Sequence, residues 1–324
     1  MESSWLKGLL TIFSETFKII PKNPTLIALA TILILIFNSC CYFVALNYLR
    51  LLINSFQSMM IDPTNLDRIG KSLGYIIIDE LIIAIIASLS SLFTATSTIF
   101  ASAMVLGGKP AMKVKDVCWN VIRTRKGASL TWIYTTLFLL GYICIMFAVA
   151  YPFTLVFMSS PRVSSAIMNI FVGLGSVLYS YLLVDLSLGM VGSVVEEEIR
   201  GLEAIGKATR IAKGMKLHGF VVNLLFGLVG WGMLKCSVWF GLRLPGVGQI
   251  VSPVGLASLG WPTTGQIVVG LVVANCLCLL KMLWWMAYSV IFYEGMNRHG
   301  GAEVVDFVED EEYTEIPNHA TRVY

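Results

Sequence analysis

Residues 26–48 read LIALATILILIFNSCCYFVALNY. The run holds no charged residue and is apolar almost throughout. A helix rises about 1.5 Å per residue and the bilayer's hydrocarbon core is about 30 Å thick, so roughly 20 such residues reach across it. No alternation of apolar and polar positions is present, which excludes a barrel strand. The run follows a Lys-bearing, amphipathic segment and is too long for the apolar region of a cleavable signal. It is therefore expected to serve as the insertion signal itself.

Working outward, five more runs have the same character: Tyr75–Val105, Leu130–Phe157, Ala166–Val191, Phe220–Phe240 and Ile267–Phe292. Leu130–Phe157 is expected to stop near Pro152, and Tyr75–Val105 to be tilted or frayed, because it is longer than a span needs. The composition agrees. Of 324 residues, 56% are apolar and 13% charged, against about 25% charged in a typical soluble domain. Two soluble domains could not cover their surfaces with so few charges, and a disordered chain would be more polar. The expected fold is all-α: a six-span transmembrane bundle over residues 1–300, followed by a tail at 301–324. That tail carries Asp306, Glu309, Asp310, Glu311, Glu312 and Glu315 and is read as acidic and disordered.

Orientation follows from the basic residues. Sixteen of the 23 Lys and Arg residues fall on the side holding the N-terminus, the 2–3 and 4–5 loops and the tail, and five on the other; Lys235 and Lys281 lie inside spans. Both termini are thus expected in the cytosol, in a membrane of the endomembrane system or the plasma membrane. The net charge of +3 speaks of orientation and anionic lipid, not of nucleic acid. No Met-Gly start or prenylation box adds a lipid anchor.

The cytosolic segments resemble one another. Residues 108–127 read GKPAMKVKDVCWNVIRTRKG and residues 201–214 read GLEAIGKATRIAKG. Each starts Gly-x-x-Ala and ends in a basic cluster followed by Gly. Ala111, Val114, Val117, Cys118, Val121 and Ile122 recur at helical spacing in the first; Ala204, Ile205, Ala208, Ile211, Ala212 and Met215 do so in the second. Near the N-terminus Leu6, Leu9, Leu10, Phe13 and Phe17 form a stripe that Lys7, Ser14 and Lys18 avoid, and Pro21 and Pro24 break the helix before the first span. The chain thus reads as three repeated units, each an interfacial amphipathic helix plus a helical hairpin. Arg123, Arg125, Lys126, Arg210, Lys213 and Lys216 are the candidate lipid head-group contacts. Packing on the membrane surface or the bundle is the favoured role of these helices; binding of a membrane-protein partner is the other.

The stretch Glu198-x-x-Gly201-x-x-Ala204-x-x-x-Ala208-x-x-x-x-Lys213-Gly214 sits between two spans. With the six-span layout, it resembles a poorly characterised family of plant multi-pass membrane proteins, which looks related to the membrane domain found beside some bacterial glycerophosphodiester phosphodiesterases. The resemblance implies a helical membrane bundle. It carries no catalytic residue, since the soluble barrel that does the chemistry there has no counterpart in this chain.

Three ionisable residues lie within spans: Asp185, Lys235 and Lys281. Asp185 is about 12 Å and Lys281 about 18 Å from the cytosolic ends of their helices, and a Lys side chain can reach several Å toward water. An Asp185–Lys281 pair is therefore the candidate intramembrane charge pair. It is read first as a packing device, otherwise as an ion or proton path or a substrate spot. Lys235, near the outer end of its helix, is expected to reach the interface, where Asp79 and Glu80 open the second span.

Other polar features are weaker. Residues 241–266, rich in Gly and Pro, read as a surface loop, with a re-entrant loop as the alternative. Glu196, Glu197 and Glu198 read as acids at a helix start, with a divalent-ion site as the alternative. Tyr313 and Ile316 have the spacing of a Tyr-x-x-apolar sorting signal, with a solvated tail as the favoured reading. Six of seven cysteines fall in spans and read as small buried hydrophobes rather than disulfides. His218, His299 and His319 lack metal-ligand spacing, and no catalytic, Walker or nucleophile-elbow motif occurs. No metal or cofactor is implied. The expected function is non-enzymatic: organising a membrane or a protein complex, or assisting lipid handling. A transporter or channel using Asp185 and Lys281 is the alternative, and a lipid-modifying enzyme the weakest reading.

Overall fold

Asn23 and Pro24 set the first boundary in the chain. In the computed structural model one helix runs through Pro21 to Lys22, bends at Asn23 and restarts at Pro24. Pro24 takes the first helical position, where a missing N–H costs nothing. Asn23 caps the new helix: its Oδ1 accepts from the Leu26 N–H at 3.4 Å and its carbonyl from the Ile27 N–H at 3.2 Å. The break thus lies at Asn23, one residue ahead of Pro24, and Pro21 is carried inside the preceding helix.

The structure describes residues 2–61, 66–107, 114–156, 161–196, 199–211, 213–243 and 264–298. Among these, eight helices and no strand are found: α1 Glu2–Lys22, α2 Pro24–Ile61, α3 Leu66–Leu106, α4 Val114–Val156, α5 Pro161–Val195, α6 Leu202–Ile211, α7 Lys216–Arg243 and α8 Thr264–Arg298. Six are long and apolar enough to cross a membrane, over Pro24–Tyr48, Leu81–Leu106, Gly127–Phe153, Asn169–Val195, Lys216–Cys236 and Ile267–Arg298. These fall on the six runs read from the sequence. The chain has the make-up of a multi-pass membrane protein.

Helices outrun spans. α2 and α3 hold 38 and 41 residues, about 57 and 61 Å of helix, so both continue well past the apolar stretch. α4 continues through Pro152 to Val156, because a proline this close to a helix end forfeits little of the remaining ladder. α4 also begins at Val114, so the basic segment at its start is continuous with the span and is not a separate helix. The repeat is therefore unlike in its parts. Gly127 stays within α4, whereas Gly201 and Gly214, with φ of +60° and +95°, turn the chain on either side of α6.

The core sits at one end of the bundle, where α1 and α6 lie; we call it the basal end. Ile12 and Ile19 of α1, Ile99 and Met104 of α3, Leu188 of α5 and Phe292 of α8 are buried together. Small residues let helices close there. A Cβ on Gly189 would lie 2.9 Å from Ile205 Cγ1, and one on Gly295 would lie 2.7 Å from Ile211 Cγ2. Buried hydroxyls such as Thr16, Ser102 and Ser289 bond carbonyls four residues back, which satisfies them without water. Toward the other end the apolar side chains face outward, among them Leu140, Phe147, Leu174 and Leu228, as lipid contact requires.

Candidate functional site

Asp185 and Lys281 do not meet each other; each has another partner. Asp185 Oδ2 of α5 accepts from Lys216 Nζ, at the first residue of α7, at 2.8 Å. The Lys216 ammonium also lies 5.4 Å from the Tyr181 ring centre, a cation–π distance. Lys281 of α8 instead donates to Ser91 Oγ of α3 and stands 5.9 Å from the Trp132 ring centre. The expected Asp185–Lys281 pair is thus not formed. Depth allowed it, but helical rotation decides otherwise: Asp185 is turned toward α7 and Lys281 toward α3. Lys216, grouped by sequence with the head-group contacts, is the residue that reasoning from spans alone overlooked. Lys235 is exposed toward the end of its span away from the basal core, 5.3 Å from the Trp231 ring centre one turn back.

Lys281 lies at the inner end of a cleft of about 290 Å3 between α2, α3 and α8. Its basal part is polar, lined by Asn38, Ser90, Ser91 and Thr94. Asn38 Nδ2 donates to Asn275 Oδ1 at 2.9 Å and Asn275 Nδ2 to Ser39 Oγ at 3.2 Å, which ties α2 to α8. Tyr42 Oη donates to the Ile267 carbonyl at 3.1 Å further out. Thr94 Oγ1 stands 3.9 Å from Cys278 Sγ. Among the described residues no carboxylate pairs with Lys281. A second cleft, about 270 Å3, lies between α4 and α5 and is lined by apolar and aromatic side chains including Met146, Phe171 and Tyr179.

A polar cluster crosses the basal core. Asn223 Oδ1 accepts from Trp284 Nε1 and from Tyr288 Oη, both at 2.8 Å, while its Nδ2 donates to the Ser180 carbonyl at 2.7 Å. Every amide lone pair used here is matched by a donor from α8, so the cluster fixes the α5–α7–α8 packing.

At the basal surface the acids lie differently from expectation. Glu196 follows the C-terminal end of α5, its N–H donating to the Gly192 carbonyl. A negative charge there opposes the helix dipole, and Lys207 of α6 offsets it at 2.5 Å. The acid in the first turn of α6 is Glu203. On α1, Glu15 accepts from Lys18 at 2.8 Å, with Lys22 at 3.9 Å. The Lys18 hydrogen bond holds the Glu15 carboxyl below its ordinary range, with the charges of Lys18 and Lys22 adding to it. Arg210 and Lys213 are exposed. Arg123, Arg125 and Lys126 lie on described backbone, but their side chains fall outside the described residues, as do those of Asp79 and Glu80. Tyr313, Ile316, the acidic tail, residues 244–263, Glu197 and Glu198 also lie outside them. Among the described residues no three His, Cys, Asp or Glu side chains gather as a metal site would require.

No family model matches this chain, nor does any curated protein or solved structure.

Proposed function

We propose that this chain is a non-enzymatic membrane protein that organises a membrane or a membrane-protein complex, or assists lipid handling, from its basal face. The supporting observation is the division of α1 into three faces. Leu9, Ile12, Thr16 and Ile19 are buried against the bundle. Leu6, Leu10 and Phe17 are more than half exposed and recur at four and seven residues, one stripe beside the first. Lys7, Lys18 and Lys22 occupy the remaining arc. A helix docked on a bundle needs one apolar face. The second apolar face of α1 has its natural solvent in acyl chains, with the lysines among anionic head groups. Here α6 joins it, burying Ala204, Ala208 and Ile211 while leaving Lys207 and Arg210 outside.

In this reading the chain is three units, each a basic basal segment followed by a hairpin of spans. The basic segments face the cytosol, and the membrane is that of the endomembrane system or the plasma membrane. The likeness to plant six-span proteins belongs to the same proposal. A transporter working through an Asp185–Lys281 pair has less support, since the two residues do not meet and Asp185 is held by Lys216.

Photo-crosslinking in lipid nanodiscs tests it. Benzoylphenylalanine at positions 10 and 17 is expected to capture lipid, and at position 12 to capture the protein itself. Reversing the charges of Lys7, Lys18, Lys22, Arg210 and Lys213 should abolish enrichment of anionic lipid in the purified protein. Absence of lipid adducts at 10 and 17, or unchanged lipid enrichment, would overturn the reading.

A further inference from the structure

We infer that the cleft between α2, α3 and α8 binds an organic anion bearing an apolar chain, with Lys281 as its counter-ion. The inference goes beyond the basal-face reading and does not depend on it, because Lys281 belongs to neither α1 nor α6. Its starting point is a cation far from water. An ammonium within the hydrocarbon zone is expensive unless something compensates it. Ser91 supplies one hydroxyl and Trp132 the edge of cation–π range at 5.9 Å. Asp185, the acid that sequence offered, is held by Lys216 at 2.8 Å. The missing anion therefore comes from outside the described fold.

The walls of the cleft define what that anion carries. α3 and α8 run toward the basal end and α2 away from it, so Thr94, Lys281 and Asn38 mark the inner end. Ser91, which accepts from Lys281, lines that end together with Ser90, Thr94 and Asn38, and such groups suit a carboxylate or phosphate ester through charge-assisted hydrogen bonds. Outward, Ile83, Ile86 and Leu277 supply apolar wall, and Ala45, Ala87 and Ala274 keep it open. A head that is charged and a tail that is not fit this order. The volume, about 290 Å3, lies at the small end of ligand cavities, so the head and the first part of a chain fill it. The same chemistry comes from two sources, a bilayer phospholipid whose head reaches inward or a single-chain amphiphile.

The test uses the full chain in nanodiscs of zwitterionic phospholipid. Decanoate and decyl phosphate are titrated while thermal unfolding is followed, with acetate and inorganic phosphate as chainless controls. A saturable rise in Tm is expected for the two amphiphiles. Binding should weaken about ten- to hundredfold in Lys281→Met, as loss of a charged hydrogen bond implies, and survive in Lys281→Arg. Ala274→Leu, which fills the cleft and leaves the charge, should abolish it. Nanodiscs containing anionic phospholipid separate the sources: a Lys281-dependent rise there without added amphiphile assigns the anion to the bilayer. An equal rise in Lys281→Met and Ala274→Leu, or equal binding of acetate and inorganic phosphate, would overturn the inference. If Lys281→Met does not fold, Lys281→Arg and Ala274→Leu decide it.

Discussion

Asp185 of α5 and Lys216 of α7 form an ion pair of 2.8 Å whose side chains keep only 17% and 25% of their exposure. The pair joins two spans at the level where the basal core begins. Removing one member strands the other in a poorly hydrated place, which costs about 3–5 kcal/mol for a fully buried pair and less here. We expect Asp185→Asn and Lys216→Met each to lower stability by roughly 1–3 kcal/mol, and the double change to cost less than their sum. Asp185→Asn combined with Lys281→Met should instead be additive within about 0.5 kcal/mol. Unfolding in detergent, read as two double-mutant cycles, checks both statements; strong coupling in the second cycle would refute the assignment of partners.

Gly189 and Gly206 make a contrasting pair. A Cβ on Gly189 meets Ile205 at 2.9 Å at the side chain and 3.0 Å at the backbone, so the contact cannot be relieved by a rotamer change. Gly189→Ala should destabilise by roughly 1–3 kcal/mol through overpacking. Gly206, within α6, meets nothing within 4 Å, and Gly206→Ala should stabilise by about 0.5–1 kcal/mol through helix propensity. Melting temperatures of the two variants moving in opposite directions are the expected result.

Gly201 is constrained twice. Its φ is +60° and its missing Cβ would lie 3.0 Å from Tyr134 Cε2, while its N–H donates to Thr131 Oγ1 at 3.0 Å. Gly201→Ala should cost roughly 1–3 kcal/mol. Thr131→Val removes the acceptor of a buried N–H and should cost about 1–3 kcal/mol. Both should raise hydrogen exchange in α6 before they affect α2 or α3.

Glu15 gives α1 a pH dependence. Its carboxyl titrates below the ordinary range because Lys18 holds the ionised form. The contribution is therefore present above the ordinary carboxylate pKa and fades as pH falls through the depressed value. The pair is exposed, so the effect is small and screened by salt. The protection of α1 against hydrogen exchange, relative to the intrinsic rate at each pH, should fall below about pH 4 at low salt in the wild type, and Glu15→Gln should flatten that dependence. Identical profiles for the two proteins would show that the contact does not steady α1.

The spans were legible because the bilayer imposes one simple demand, a run of about 20 apolar residues, and Pro24–Tyr48 or Gly127–Phe153 can meet it in only one way. What lies beyond the hydrocarbon was less so. Hydropathy falls after Tyr48, yet α2 continues to Ile61, because helix propensity does not end where apolarity does. The stripe Leu6, Leu9, Leu10, Phe13 and Phe17 was visible, but Ile12 and Ile19 face the core and Leu6, Leu10 and Phe17 do not. An apolar arc wide enough for two neighbours does not say which neighbour takes which half. Gly127 and Gly214 look alike after their basic clusters, and only the second leaves the helix. At the candidate site the depth of Lys281 could be read along the chain, but its partner could not. The rotation of α8 against α3 is set by packing across the whole bundle.

The gathering of the core at the basal end bears on how such a sequence can drift. Around Gly189, Ile205, Phe292 and Gly295 each side chain is shaped by a specific neighbour, so replacements there must preserve volume. Around Leu140, Phe147, Leu174 and Leu228 the neighbour is fluid hydrocarbon, and any apolar residue serves. Divergence among descendants of this chain should therefore form a gradient along the membrane normal, slow where α1 and α6 lie and fast at the opposite ends of the same helices.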